Sequence, residues 1–377
     1  MDILKINAAL LSGPGKDWEI QEIELGDPVA GEVQVQLAAS GLCHSDHHLR
    51  TGVTPVPVWP VLGGHEGAGV VTKIGPGVAG LDVGDHVVLA FIPACGTCPP
   101  CSKGMQNLCD LGAGLLAGKS IADGTFRVTQ NGDPVLQMCL LGTFAPYVTV
   151  NQSSVVKIEK DIPLEKAALL GCGVSTGWGS ATAIGGTRAG DTVVVAGTGG
   201  IGINAVQGAR AAGARFVVAV DPVEFKRTKS LELGATHAYP TMQEALEPVR
   251  ELTWGRLADV TILCSSEVDG DQIQPALDIT GKGGSVVVTA LGGGTSNTVK
   301  MSLGQLTLLQ KRIQGALFGG SSPRTQIPRL LNHYRSGSLE LDSLITRTYE
   351  LDQINEAYDD MLAGRNIRGV ITYPAAN

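Results

Sequence analysis

Short apolar runs, alternating or continuous and broken by glycine and proline, mark the first half of the chain. "EVQVQLAAS", "GAGVVTKIG" and "DHVVLAF" read as strands of a partly closed β domain extending to about residue 170. From about residue 190 the texture changes: apolar strands ("TVVVAG", "FVVAVD", "DVTILC", "GSVVVTA") alternate with segments of helical character ("INAVQGARAAGA", "EFKRTKSLELGA"). That alternation predicts βαβ units and a parallel sheet buried on both faces. Past residue 320 come helical pieces and "RGVITY", a terminal strand able to rejoin the first domain.

Size and charge narrow the picture. A chain of 377 residues exceeds what one hydrophobic core usually organises, which favours two domains. A net charge of −8 with no run of basic residues disfavours nucleic acid and anionic lipid, leaving a small molecule as the expected partner. "MDILKINAALLSGPGKDWEI" lacks the basic and apolar stretches of a secretion signal, and no apolar run reaches membrane-spanning length, so a cytoplasmic protein without membrane contact is expected. In that reducing compartment, eight cysteines point to metal or redox chemistry in preference to a disulfide framework.

"VVVAGTGGIGINAVQGARAAGA" begins as a strand, passes through Gly197, Gly199 and Gly202 at G-x-G-x-x-G spacing with Gly200 in the same turn, and opens into a helix. Gly197 permits the tight turn, Gly199 admits a pyrophosphate, and Gly202 lets helix and strand pack closely, with the helix N-terminus facing the phosphates. A glycine turn without a ligand is the plain alternative. Asp221 ends the next strand about 20 residues on, where a carboxylate binds adenosine ribose hydroxyls and repels a 2′-phosphate. NAD is thereby favoured over NADP, although Lys226 and Arg227 lie nearby, and Asp221 could also serve simply as a helix N-cap.

"CGTCPPCSKGMQNLC" supplies Cys95, Cys98, Cys101 and Cys109, a spacing that suits a closed structural zinc site. An iron–sulfur cluster competes, and a disulfide pair is a third reading. Elsewhere Cys43, His65 and Cys172 occupy glycine-containing stretches far apart in sequence. Two cysteines and a histidine match the ligand set of an open catalytic zinc, but spacing alone does not bring them together. Cys139 and Cys264 read as small buried residues.

"GHEGAGVV", the four-cysteine loop, "GCGVSTGWG", "GTGGIG" with Asp221, and "NIRGVI" together resemble the zinc-dependent medium-chain dehydrogenase/reductase family over essentially the whole chain. The resemblance implies an α/β protein: a GroES-like catalytic domain from residues 1–175 and 320–377, with a structural-zinc lobe at about 93–111, around a Rossmann NAD-binding domain at 176–319. It implies two zinc ions per subunit, NAD(H) as cofactor and an alcohol or aldehyde as substrate. The segment Gly112 to Leu141 looks like the longer loop of dimeric members, which implies a homodimer. "GLCHSDHHL", "FIPACGTC" and "VDPVEFKR" look closer still to actinobacterial nicotinoprotein alcohol dehydrogenases, which retain NAD(H) and are assayed with nitrosodimethylaniline (NDMA) as acceptor.

By the same resemblance Cys43, His65 and Cys172 bind the catalytic zinc. Ser45 takes the alcohol proton and His48 passes it on, with an ordinary surface histidine as the alternative for His48. Asp46 orients His65, and Glu66 lies behind the metal without being a resting ligand. His44 and Arg368 match contacts to the cofactor phosphates, Thr176 and Ile201 press on the nicotinamide, and Phe91 walls the alcohol pocket. His47 has no implied role. Three other readings stay open: a thiol-dependent formaldehyde dehydrogenase using glutathione or mycothiol, a zinc polyol dehydrogenase, disfavoured by Cys172, and a noncatalytic zinc- and NAD-binding redox sensor.

Overall fold

The computed structural model describes residues 3–265, 269–290 and 298–374. The chain divides into two compact units, one built from residues 1–172, 322–332 and 341–377 and the other from 173–321 and 333–340. The sequence reading set the divisions at 175/176 and 319/320, without assigning 333–340 to the second unit.

In the first unit the strands Leu4–Leu11, Trp18–Leu25, Val128–Gln130, Asp133–Gln137 and Val61–Leu62 close a small barrel. A seven-stranded sheet runs Val155–Ile158, His86–Leu89, Glu66–Ile74, Glu32–Gly41, Arg368–Thr372, Ile345–Tyr349, with Tyr147–Asn151 also paired to Glu32–Gly41. The terminal strand rejoins the first domain as its sequence suggested, pairing Val370 with Gly41 and Thr372 with Ala39 in antiparallel register. Glu32–Gly41 is buried along most of its length, with Val33, Val35 and Leu37 inside, because neighbours cover both of its faces and both of its edges. The Gly112–Leu141 segment is ordered by more than its turns. It carries the two strands that complete the barrel, and Arg127 is buried between Glu32 (2.6 Å) and Asp123 (2.8 Å).

The second unit holds a six-stranded parallel sheet in the order His237–Tyr239, Phe216–Val220, Thr192–Ala196, Ala258–Leu263, Thr280–Val288, Arg312–Gly315. Numbered within the unit this is 3-2-1-4-5-6, the doubly wound Rossmann order, whose crevice opens where strands 1 and 4 diverge. Strand 1 is apolar and buried throughout, as a parallel strand covered on both faces must be. Among the described residues no helix is long and apolar enough to cross a membrane.

Candidate active site

Cys43 is the N-cap of the helix His44–Thr51. It holds extended backbone angles (φ −130°, ψ 150°), Asp46 lies in the first turn, where the helix dipole favours negative charge, and Gly52 ends the helix in a left-handed conformation. His65 and Glu66 open the strand Glu66–Ile74, and Cys172 immediately precedes the helix Gly173–Gly179. Folding brings one donor atom from each of Cys43, His65, Glu66 and Cys172 within 4.8 Å of one another, all four buried.

The electrostatics of this cluster favour a cation. Asp46, fully buried, accepts the Gly64 N–H at 2.7 Å with one oxygen and sets the other 3.1 Å from His65 Nδ1, which leaves Nε2 as the atom for a metal. Burial disfavours charge on His65, yet the negative charges of Asp46 and Cys43 raise its pKa well above the ordinary value. The hydrogen bond with Cys172 holds Cys43 well below an ordinary thiol, and the same bond, reinforced by burial, raises Cys172. A divalent ion bound by both sulfurs would displace their protons. Two soft sulfurs and an imidazole, water-excluded and convergent, fit zinc.

Glu66 stands among the donors, but its carboxylate is engaged by Arg368. Burial pushes Glu66 up to about 7 against the pull of that guanidinium. The resemblance gives Arg368 to the cofactor phosphates; here its guanidinium spans Glu66 and the Leu42 carbonyl (3.2 Å), since a buried carboxylate needs a counter-charge, and its Nε is left without a partner. Ser45 Oγ lies 3.7 Å from Cys43 Sγ. His48 is buried with its Nδ1 unpartnered, which is not the environment of a surface histidine. Phe91 meets the His65 ring edge to face at 5.9 Å. His44 and His47 are half-buried, and the His47 ring lies 6.3 Å from that of Tyr358.

The four-cysteine loop forms a second cluster. The sulfurs of Cys95 and Cys101 are 3.9 Å apart and those of Cys98 and Cys109 3.8 Å, the edge of a tetrahedron with metal–sulfur bonds of about 2.3 Å. A single ion fits this space, and no disulfide forms: all eight cysteines are free. Burial works against ionisation of Cys95, but the N–H groups of Thr97 and Cys98 outweigh it and bring its pKa to about 6, while burial pushes Cys101 up to about 12. The loop is therefore a closed structural zinc site. Cys139 and Cys264 are buried and take no part in either cluster.

In the second unit the glycine turn leaves strand 1 at the switch point. Gly197 takes φ +85°, and a β-carbon at Gly202 would overlap the Gly197 carbonyl. At Gly199 a β-carbon would meet only Lys226 Nζ, at 3.9 Å, so the turn is open to a phosphate on that side and an ammonium stands beside it. Gly200 and Ile201 complete the turn, and the helix Gly202–Ala211 starts directly from it, with the Ile203 N–H bonded to the Gly199 carbonyl at 3.0 Å. Asp221 is held from two sides, by Thr198 N–H (2.8 Å) and Val223 N–H (2.9 Å). Arg227 turns to the carbonyls of Asp221 and Pro222. Thr176, on a helix packed against the Ile201 carbonyl, is buried with its hydroxyl unpartnered. These residues fit a dinucleotide.

The pairing of Glu66 with Arg368 and the contact of Tyr358 with the Cys43 carbonyl are absent from the sequence reading. Their partners lie 302 and 315 positions apart, and no local pattern signals them.

Residues 29–160 match the alcohol dehydrogenase GroES-like domain and residues 200–335 the zinc-binding dehydrogenase family. The chain is 53% identical over 370 residues to alcohol dehydrogenase B of Mycobacterium tuberculosis, covering 98% of this chain and 99% of that one. It is 51% identical over 372 residues to the NDMA-dependent alcohol dehydrogenase of Amycolatopsis methanolica, covering 99% and 100%. Among solved structures, benzyl alcohol dehydrogenase from Acinetobacter calcoaceticus superposes with a TM-score of 0.91 at 30% identity, covering 98% of this chain and all of the other.

Proposed function

The chain belongs to the zinc-containing medium-chain alcohol dehydrogenase family and is a zinc-dependent alcohol dehydrogenase, and from that premise we propose how its residues divide the work and which branch it represents. The convergence of four buried donors from three segments carries the reading. Cys43, His65 and Cys172 hold the catalytic zinc, with Glu66 kept off it by Arg368. That ion supplies Lewis-acid polarisation of the alcohol oxygen. Ser45 accepts the alcohol proton, and His48, with its free buried nitrogen, carries it onward. Phe91 limits the pocket to an uncharged alcohol or aldehyde. Gly197, Gly199, Gly200, Ile201 and Gly202 cradle the pyrophosphate beside Lys226, and Asp221 selects NAD.

Likeness to an NDMA-dependent relative supports a tightly held NAD(H) that needs an external acceptor. The test is protein purified without added cofactor, then denatured and assayed for released NAD(H). Stoichiometric release, with turnover of a primary alcohol requiring NDMA, is expected. Empty protein that turns over readily with free NAD refutes the retention, and preferential turnover of formaldehyde with glutathione or mycothiol favours the thiol-dependent reading. A homodimer is supported by the outer edge of Arg312–Gly315, which is unpaired among the described residues, and by Leu303 and Leu308, 67% and 84% exposed beside it. Light scattering should give twice the 39.0 kDa monomer mass. A cytoplasmic location accords with eight free thiols.

A further inference from the structure

Cys43 and His65 belong to separate segments, and something must fix the distance between them. Asp46 does part of this by gripping His65 and Gly64 from the helix that Cys43 caps. A second connection comes from the far end of the chain. Tyr358, fully buried on the helix Ile354–Leu362, donates its hydroxyl to the Cys43 carbonyl at 3.4 Å. That carbonyl also accepts the Asp46 N–H at 3.3 Å, and the Cys43 side chain makes no cap of its own.

The ring of Tyr358 belongs to an aromatic floor. It stacks on Trp18 (centroids 6.0 Å apart, planes at 20°), meets Phe144 at a steep angle (6.4 Å, 72°) and lies alongside His47 (6.3 Å, 27°). Trp18 and Phe144 in turn press on the two residues before His65. A β-carbon at Gly63 would come within 2.6 Å of Trp18 and 2.8 Å of Phe144, and one at Gly64 within 2.6 Å of Phe144, so only glycine fits there. Asn355, one turn before Tyr358, exchanges two hydrogen bonds with the Trp18 main chain (3.0 and 2.9 Å) and sets the floor in place. The same floor therefore touches the carbonyl of one metal ligand and the backbone leading into another. Phenylalanine would fill the same space. A buried phenol costs stability unless it is bonded, so the hydroxyl marks a contact beyond packing.

We propose that Tyr358 is a positioning residue of the catalytic metal site, fixing the Cys43 main chain through its hydroxyl while its ring joins the floor beneath His65. The consequence is orientational: with the carbonyl held, the Cys43 sulfur keeps its direction toward the position where the donors converge. The half-buried His47, which the resemblance leaves without a role, covers part of the ring.

The inference rests on the reading of Cys43, His65 and Cys172 as zinc ligands. The test uses full-length holoenzyme and Tyr358→Phe, which keeps the ring, with cobalt(II) exchanged into the catalytic site. The variant should shift the visible cobalt bands, lose its catalytic metal to a chelator roughly three- to tenfold faster, and lose kcat by a similar factor at unchanged KM, the worth of one neutral hydrogen bond. The four-cysteine site serves as internal reference and should release its zinc at the wild-type rate. A variant that melts earlier but keeps the cobalt spectrum, the release rate and kcat has lost only packing, and that result overturns the inference. Wild type that takes up one metal per chain defeats the underlying zinc reading instead, so the two failures are distinguishable.

Discussion

Asp46→Asn removes a charge and almost no volume at the point where the catalytic site is braced. Asp46 is fully buried; one oxygen accepts the Gly64 N–H at 2.7 Å and the other is paired with His65 Nδ1 at 3.1 Å. An amide offers one acceptor oxygen. Whichever donor it satisfies, its NH2 faces the other, and a buried donor left unpaired costs about 1–3 kcal/mol of fold stability. The effect on the metal is separate. His65 then binds as an imidazole no longer polarised by a carboxylate, and loss of such a brace typically costs 10- to 100-fold in metal affinity, about 1.4–2.7 kcal/mol. Competition against a graded chelator, with zinc counted per chain, gives the affinity of the catalytic site, and the four-cysteine site reports whether the fold is intact. We expect the variant to release one zinc of two at a chelator concentration one to two decades lower, and to lose activity in proportion. Catalytic-site affinity within twofold of wild type, in a protein that folds normally, would refute the claim that Asp46 acts through His65.

Two further outcomes follow from residues already placed. Asp221→Asn removes the negative charge expected to repel a 2′-phosphate and keeps one of the two backbone contacts to Thr198 and Val223. Fluorescence titration of cofactor-stripped protein should show the preference for NAD over NADP narrowed about tenfold, the scale of one lost charge interaction. Arg127 holds the Asp123 carboxyl at about 2, below its ordinary range. A depressed carboxylate contributes stability above about pH 4 and loses it as pH falls toward 2. Because the Asp123 side chain is 40% exposed, the contribution is modest, and the difference in melting temperature between wild type and Asp123→Asn should be positive at pH 5 and shrink steadily toward pH 3. A difference that grows on acidification counts against this role for the Arg127 clamp.

How much of this was legible in the sequence depends on the distance over which each signal acts. The glycine turn and Asp221 could be read directly, because strand, turn, helix and carboxylate lie within one βαβ unit and the turn needs glycine for steric reasons at Gly197 and Gly202. The four cysteines were equally plain, since their sulfurs meet inside a 15-residue loop. The ligands Cys43, His65 and Cys172 could be nominated by residue type, but only the paired strands and the Asp46 brace bring them together. Arg368 and Tyr358 are a different case. The resemblance points Arg368 at the cofactor and says nothing of Tyr358; only the pairing of Arg368–Thr372 with Glu32–Gly41 brings Arg368 to Glu66, and only the packing of the helix Ile354–Leu362 brings Tyr358 to Cys43. The two barrel strands within Gly112–Leu141 escaped notice because they are three and five residues long, too short for alternation to stand out from a loop.

The strand Arg368–Thr372 also has a consequence for biosynthesis. Glu66 and Arg368 are 302 residues apart, so at ordinary elongation speeds of about 5–20 residues per second the arginine is added roughly 15–60 s after the carboxylate it neutralises. Once Cys172 has been added, and until Tyr358 is reached, the nascent chain carries all four donors of the cluster but neither the guanidinium nor the Tyr358 hydroxyl behind them. Completion of the metal centre therefore waits for the strand Arg368–Thr372, and a chain cut short before Arg368 leaves the ribosome with a carboxylate that lacks its counter-charge, a product marked for unfolding and proteolysis before it can act as an enzyme.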